Sequence, residues 1–231
     1  MISFLSKKWI SISCIAVSIL IITGCGEGPV EKSEVEEIAG EERVSLFDGK
    51  TLGGWRVSSK TGHGDGGKWE VVAGAIEGDQ DSPGSGGILL SEDQFGDFEL
   101  ELEINPDWGV CSGIFLRSSE EGKCYQVMVD YHEDGNIGGI YGEGIGGFRQ
   151  DFLNYLDHYK KGEWNQIRIR MEENPPHIQV WINGHKGTDW QGEDATLRPD
   201  EGHVALQVHG GDGWPKDHKT RFRNIHIQNL P

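Results

Sequence analysis

Glu103, Arg117, Gln126, Asp130, Trp181, Gln207 and His209 are the side chains with which this sequence could do chemistry. Each lies on the polar phase of a short run whose other phase is apolar. In 97–104 the apolar set is Phe98, Leu100, Leu102 and Ile104, so Glu99, Glu101 and Glu103 point the other way. Ile114 and Leu116 place Phe115 and Arg117 outward. Tyr125, Val127 and Val129 leave Gln126, Met128 and Asp130, and Ile178, Val180 and Ile182 leave Gln179 and Trp181. Val204, Leu206 and Val208 leave Ala205, Gln207 and His209. Successive strand side chains alternate between faces. If these strands share one sheet, a single outer face carries an imidazole, a guanidinium, two carboxylates, two amides and an indole. Carbohydrate sites combine hydrogen-bonding groups of this kind with aromatic platforms, and Trp214 would add a second indole. A solvated face with incidental ion pairs would alternate in the same way, and it accounts best for Glu99 and Glu101, nearer the start of their strand.

The elements that must position these residues are short strands. Long helical periodicity is absent, 35 glycines punctuate the chain, and Asn183-Gly184 is a two-residue hairpin signal. Many short strands with glycine-rich connections predict an all-β fold, and the alternating faces favour a two-sheet jelly-roll sandwich. The least regular stretches, 56–68, 141–162 and 210–219, are where function would sit.

The N-terminal part reads differently. Lys7 and Lys8 precede an apolar run that ends in Ile22-Thr23-Gly24-Cys25, the pattern of a secretory signal with a lipidated cysteine. Residues 1–24 are therefore expected to be a lipoprotein signal peptide. Residues 25–43, glutamate-rich and without aromatics, are expected to be a disordered tether, and 44–231 one domain. The membrane would be touched only through lipid on Cys25, which places the domain at the bacterial cell envelope. A net charge of −17 with no basic stripe excludes nucleic acid as a partner and suits neutral or cationic ones. Cys14 would leave with the signal. Cys111 and Cys124 fall several residues apart on the expected hairpin, too far to bridge, and are expected to be buried thiols.

Taken in order, "LFDGKTLGGWR" (46–56), "KWEVVAGAI" (68–76), "GGILLS" (86–91), "FGDFELELEI" (95–104), "SGIFLR" (112–117), "YQVMVD" (125–130), "GGIYG" (138–142), "GEWNQIRI" (162–169), "VWINGH" (180–185), "GHVALQVHG" (202–210) and "FRNIHI" (222–227) resemble the 3-keto-disaccharide hydrolase family. The match is collective and spans nearly all of 44–231. It implies a concanavalin A-like sandwich with a concave sugar-binding sheet. It also implies cleavage of glycosides already oxidised at C3 by a separate sugar 3-oxidoreductase, the pathway partner. By that pattern Glu103, Arg117, Asp130, Gln207 and His209 correspond to family site positions. Gln126 and Met128 depart from it, standing where relatives often have Glu and Gln. The loops 210–220 and 57–67, the latter with His63 and Asp65, are extended.

The chemistry so implied needs a base for the C2 proton beside the ketone, an acid for the leaving oxygen and a cation for the enolate. His209 is the natural base, since imidazole titrates near neutrality. Glu103 could be base, acid or ligand, and Arg117 could hold the enediolate. Gln126, Asp130, Trp181, Gln207 and Trp214 would bind the sugar. The sequence names no cofactor; Glu103, Asp130 and His209 would suit a divalent metal. Among nine histidines none forms H-E-x-x-H, and "DYHEDG" (130–135), which resembles the start of an EF-hand loop, has Tyr141 where the final Glu belongs. No G-x-S-x-G occurs. Two other readings remain open. A non-catalytic sugar-binding lipoprotein would fit the Gln at 126. A laminarinase-like retaining glycosidase would use "ELELE" (99–103), although Glu99 and Glu103 are separated by ~13 Å of strand where such enzymes need carboxylates ~5–5.5 Å apart.

Overall fold

The structure, a computed structural model, describes residues 42–196 and 199–231. The expected signal peptide, the lipidation site Cys25 and all but the last two residues of the expected tether lie outside the described residues. The described residues form β1 (Val44–Ser45), β2 (Trp55–Val57), β3 (Lys68–Val72), β4 (Ala75–Asp79), β5 (Gly87–Phe95), β6 (Phe98–Ile104), β7 (Val110–Ser118), β8 (Cys124–Tyr131), β9 (Ile137–Glu143) and β10 (Gly147–Gln150). After one 3-10 turn, Tyr155–Asp157, come β11 (Asn165–Glu172), β12 (His177–Ile182), β13 (His185–Gln191), β14 (Gly202–Val208) and β15 (Thr220–Asn229).

They make two antiparallel sheets. The first has the order β13-β12-β11-β6-β15-β4-β3, with β1 paired to β15; the second has the order β10-β9-β8-β7-β14-β5-β2. The inward phases read from the sequence are the core. Phe98, Leu100, Leu102, Ile104, Ile178, Val180 and Ile182 of the first sheet pack with Ile114, Leu116, Tyr125, Val127, Val129, Val204, Leu206 and Val208 of the second. Each such buried aliphatic or aromatic side chain contributes about 1.5–3 kcal/mol relative to exposure. Asn183 and Gly184 both have positive φ, as a tight I′ hairpin turn requires, and join β12 to β13.

The chain changes sheet four times at one end of the sandwich. The connections are β2 to β3, β4 to β5, β6 to β7 and β14 to β15. Their ends are brought together by the pairs Lys68↔Asp79, Thr220↔Gly78, Phe222↔Ile104, Val208↔Gly87 and Val208↔Ser112. This topology corrects the assumption that the seven polar residues share a face. β6 and β12 belong to the first sheet, while β7, β8 and β14 belong to the second. The polar sides of β6 and β12 therefore look out from the opposite surface of the molecule. Glu103, 26% exposed there, accepts from Arg223 Nε at 2.8 Å and from Asn224. Trp181 lies between Arg168, 3.9 Å from its ring centre, and Lys186 at 6.0 Å.

The row of carboxylates on β6 is thereby explained. Glu101 pairs with Arg43 at 2.5 Å, and Glu99 lies 3.5 Å from Arg43 and 3.9 Å from Arg168. Arg223 stacks on Trp164 at 4.0 Å. Cross-strand partners of opposite charge stabilise a sheet face, and here they neutralise the glutamates that the sequence offered as glycosidase carboxylates.

Candidate functional site

The outer face of the second sheet gathers Gln126, Asp130, Gln207 and His209, as the alternation predicts. The register places Cys111 opposite Asp130, Gly113 opposite both Met128 and Gln207, and Phe115 opposite Gln126 and Ala205. His209 continues this face one step past β14, its N–H donating to Cys111 O at 3.3 Å. Ile88, Leu90, Phe115, Cys124 and Ala205 form a small buried apolar floor toward the far end.

Two amides organise the centre. Gln126 Nε2 donates to Ser112 O at 3.2 Å and to Gln207 Oε1 at 3.1 Å. That fixes the Gln207 amide, whose Nε2 then donates to His63 Nε2 at 3.1 Å. His63 must therefore carry its proton on Nδ1. Burial, and next the neighbouring His209, hold the pKa of His63 down to about 4, so it is a neutral imidazole at physiological pH. Gln126 fits only because residue 113 is glycine: a Cβ there would stand 2.2 Å from Gln126 Nε2.

His63 arrives from the β2–β3 connection, which is pressed onto the sheet. Gly86 N donates to His63 O at 2.9 Å and Gly66 N to Gly86 O at 3.2 Å. A Cβ at Gly210 would be 2.1 Å from His63 O, and one at Gly87 1.9 Å from Gly66 C. The glycines of "GHGDGG", "SGG" and "HGG" thus permit three stretches of backbone to touch. His63 and His209 have ring centroids 5.2 Å apart. Glu143, from the end of β9, reaches to 3.7 Å from His63 Nε2, too far for a hydrogen bond. Burial raises the pKa of Glu143, and His209 partly opposes that shift.

His209 is exposed, and its Nδ1 pairs with Gly210 O at 2.5 Å. Since a carbonyl only accepts, Nδ1 carries the hydrogen, and in the neutral form of the ring the lone pair is then on Nε2. Beside it Cys111 Sγ donates to Asp130 Oδ1 at 3.1 Å. Burial raises both pKa values, keeping Cys111 a thiol and making Asp130 a weaker acid than usual. Cys111 is half-buried rather than buried, Cys124 is buried, and the two are not bonded to one another. Cys111, Asp130 and His132 bring one ligand atom each within 4.8 Å of one another. Among the described residues this is the donor set that could hold a divalent ion. The expected set of Glu103, Asp130 and His209 is broken, because Glu103 lies on the other sheet.

Arg117 is the third correction. It has φ 48, and the β7–β14 register shifts beside it. This bulge interrupts the alternation that would have set Arg117 beside Phe115. Its side chain turns toward the far end of the sandwich and is 1% exposed. There it donates to Gly96 O at 2.9 Å, Glu173 O at 2.8 Å and Asp97 Oδ1 at 2.5 Å. It clamps the β5–β6 and β11–β12 turns, remote from His209. Trp214 is half-buried against the core, its indole N–H donating to His218 O at 3.0 Å, and it lines a cavity beyond His209.

Sequence reasoning did not assign roles to His63 or Glu143. Their signal was compositional: each is embedded in glycines, in "GHGDGG" and "YGEGIGG", where a backbone free of side chains lets one functional group lean onto a sheet.

The comparisons with known proteins agree with this architecture. The chain is 27% identical over 238 aligned residues to the 3-keto-disaccharide hydrolase of Bacteroides thetaiotaomicron, covering 81% of this chain and 78% of that protein. A candidate glycosyl hydrolase from Parabacteroides distasonis superposes with a TM-score of 0.59 at 24% identity, over 82% of this chain and all of that one. The β-glucanase of Bacillus licheniformis superposes with a TM-score of 0.58 at 13% identity, over 84% and 100%. At these identities the two structures speak for the fold alone, which is the concanavalin A-like jelly roll. The model of the 3-keto-alpha-glucoside-1,2-lyase-like domain matches residues 42–228, and the chain belongs to that family.

Proposed function

We propose that the chain is a carbohydrate-active enzyme that cleaves glycosides bearing a ketone at C3, with the outer face of the second sheet as its active surface. The observation that carries this reading is His209. Its Nδ1–H is held by Gly210 O, so Nε2 is the acceptor, 5.2 Å ring to ring from a second, neutral imidazole. A ketone at C3 makes the C2 proton acidic. His209 Nε2 takes that proton, the electrons of the C2–H bond form the enediolate, and the C1–O bond breaks. The departing oxygen needs a proton, and Glu143, biased toward its protonated form by burial, is the donor on this face. Water then adds across the new double bond to give the free 3-keto-sugar. Gln126 and Gln207, both buried, hold His63 in place, and its half-buried ring is the part of this chain that can meet a sugar hydroxyl. The substrate of the Bacteroides relative, given by its name, supports the same chemistry.

An enzyme that oxidises sugars at C3 must supply this substrate. Lipid on Cys25 would hold the domain at the cell envelope, where such sugars are met. Incubation with 3-keto-glucosides, following product together with deuterium exchange at C2, tests the reading. Release of the aglycone with exchange supports it. Binding without either would make the chain a sugar-binding lipoprotein.

A further inference from the structure

Beside His209 lies a cavity to which the steps above assign no role. It has a volume of about 390 Å³, within the range of small-molecule sites. It lies at the end of the sandwich where the chain changes sheet, between the β4–β5 and β14–β15 connections. Gln80 joins its wall to the proposed base: Nε2 donates to His209 O at 2.9 Å and to Gly211 O at 3.0 Å, while Oε1 accepts from Gly84 N at 2.8 Å. Trp214, Pro83 and Pro215 supply apolar lining. Two other hollows lie elsewhere. One is around Ser119, Gly202 and His203 at the far end; the other, around Glu101 and Glu103, is on the opposite surface.

The charge on the walls is one-sided. Asp79 is paired with Lys219. That leaves Asp81, Asp212 and Asp217 against the single ammonium of Lys216.

We infer that this cavity receives the leaving group of the substrate, and that it selects aglycones that are cationic or neutral over those carrying a carboxylate. The inference rests on the reading of His209 as the base. C1 is the carbon next to C2, so with the C2 proton at His209 Nε2 the leaving group starts close to that ring, and the recess beside it is the one that the loop following His209 builds. Trp214 offers an indole surface to a ring or alkyl chain. The three carboxylates favour an amine and repel an acid, more strongly at low salt than at high.

The test uses 3-keto-glucosides of three matched aglycones, 2-aminoethyl, ethyl and carboxymethyl, with the wild-type chain and the Asp81→Asn/Asp212→Asn double variant. At low salt, kcat/KM should favour the amine over the carboxylate by roughly ten-fold. The preference should fall to within about two- to three-fold in the double variant or at high salt. No preference in the wild type, or a preference unchanged in the double variant, overturns the inference. Calorimetric binding of the same three glucosides without the ketone separates the two claims. An order of amine, ethyl, carboxymethyl supports the cavity whether or not the ketones turn over. Equal or reversed order sinks the cavity even if His209 proves to be the base.

Discussion

The two outer faces of this sandwich are built on the same alternation and have opposite characters. On the first sheet the prominent charges meet their opposites: Glu99 and Glu101 with Arg43, Glu103 with Arg223, and Lys186, beside Trp181, with Asp189. On the second sheet the ionisable groups around His209 meet amides, a thiol and one another, while Arg56 and Glu120 pair toward its far end. His63 is held neutral, Asp130 and Glu143 are raised by burial, and Gln126 and Gln207 form the bridge among them. A face whose charges are cancelled is stable and chemically quiet. A face where burial has shifted its groups, Asp130 and Glu143 upward and His63 downward, is the kind in which functional sites are found. Charge pairing, rather than the presence of acids and aromatics, separates the two.

Substitutions break the comparison in graded ways. The largest effect is expected from Glu143→Gln, which removes a proton donor from the second face: kcat on a 3-keto-glucoside should fall roughly 10²–10³-fold, while KM moves little. A fall smaller than three-fold would strip Glu143 of that role. His63→Gln sharpens the electrostatic half of the contrast. The folded-state pKa of His63, about 4, lies below the ordinary value of 6.5, so its stability term is full above pH 6.5 and is lost as pH falls toward 4. The wild type should therefore lose about 3 kcal/mol more than His63→Gln between those limits, read from urea unfolding at each pH. Parallel curves for the two proteins would refute it.

Arg117→Met probes a residue that lies on neither face. Unfolding free energy should drop by about 2–3 kcal/mol with kcat of the folded fraction preserved; loss of kcat without loss of stability would return Arg117 to the active surface. Gly113→Ala pushes Gln126 off its seat and should cost roughly ten-fold in kcat/KM, with the melting curve showing how much of that is folding. The smallest effect belongs to the quiet face: Lys68→Ala, which removes the exposed pair of Lys68 with Glu70, should change stability by less than about 1 kcal/mol, as exposed ion pairs do, and leave turnover within two-fold.

Much of this was legible in the sequence because alternation is a local property. Phe98 through Ile104, Tyr125 through Val129 and Val204 through Val208 point where period-two reasoning sends them, and Gln126, Asp130, Gln207 and His209 share a face for that reason. Sheet membership is not local. Nothing within "FELELEI" says that β6 pairs with β11 and β15 while the next strand, β7, joins the other sheet, and this misplaced Glu103. Trp181 was misplaced likewise, through β12. Arg117 was lost to a bulge at a non-glycine residue with positive φ, a backbone event without a sequence signature. His63 and Glu143 come from glycine-rich segments whose approach to the sheet depends on packing between distant stretches of chain.

The most direct measurement is exchange of the C2 proton of a 3-keto-glucoside in deuterium oxide, followed by NMR for the wild type, His209→Asn and Glu103→Gln. Exchange should proceed in Glu103→Gln at a rate close to that of the wild type and fall at least a hundred-fold in His209→Asn. Undiminished exchange without His209, or exchange abolished by the change at Glu103 on the opposite surface, would contradict the assignment of the active face.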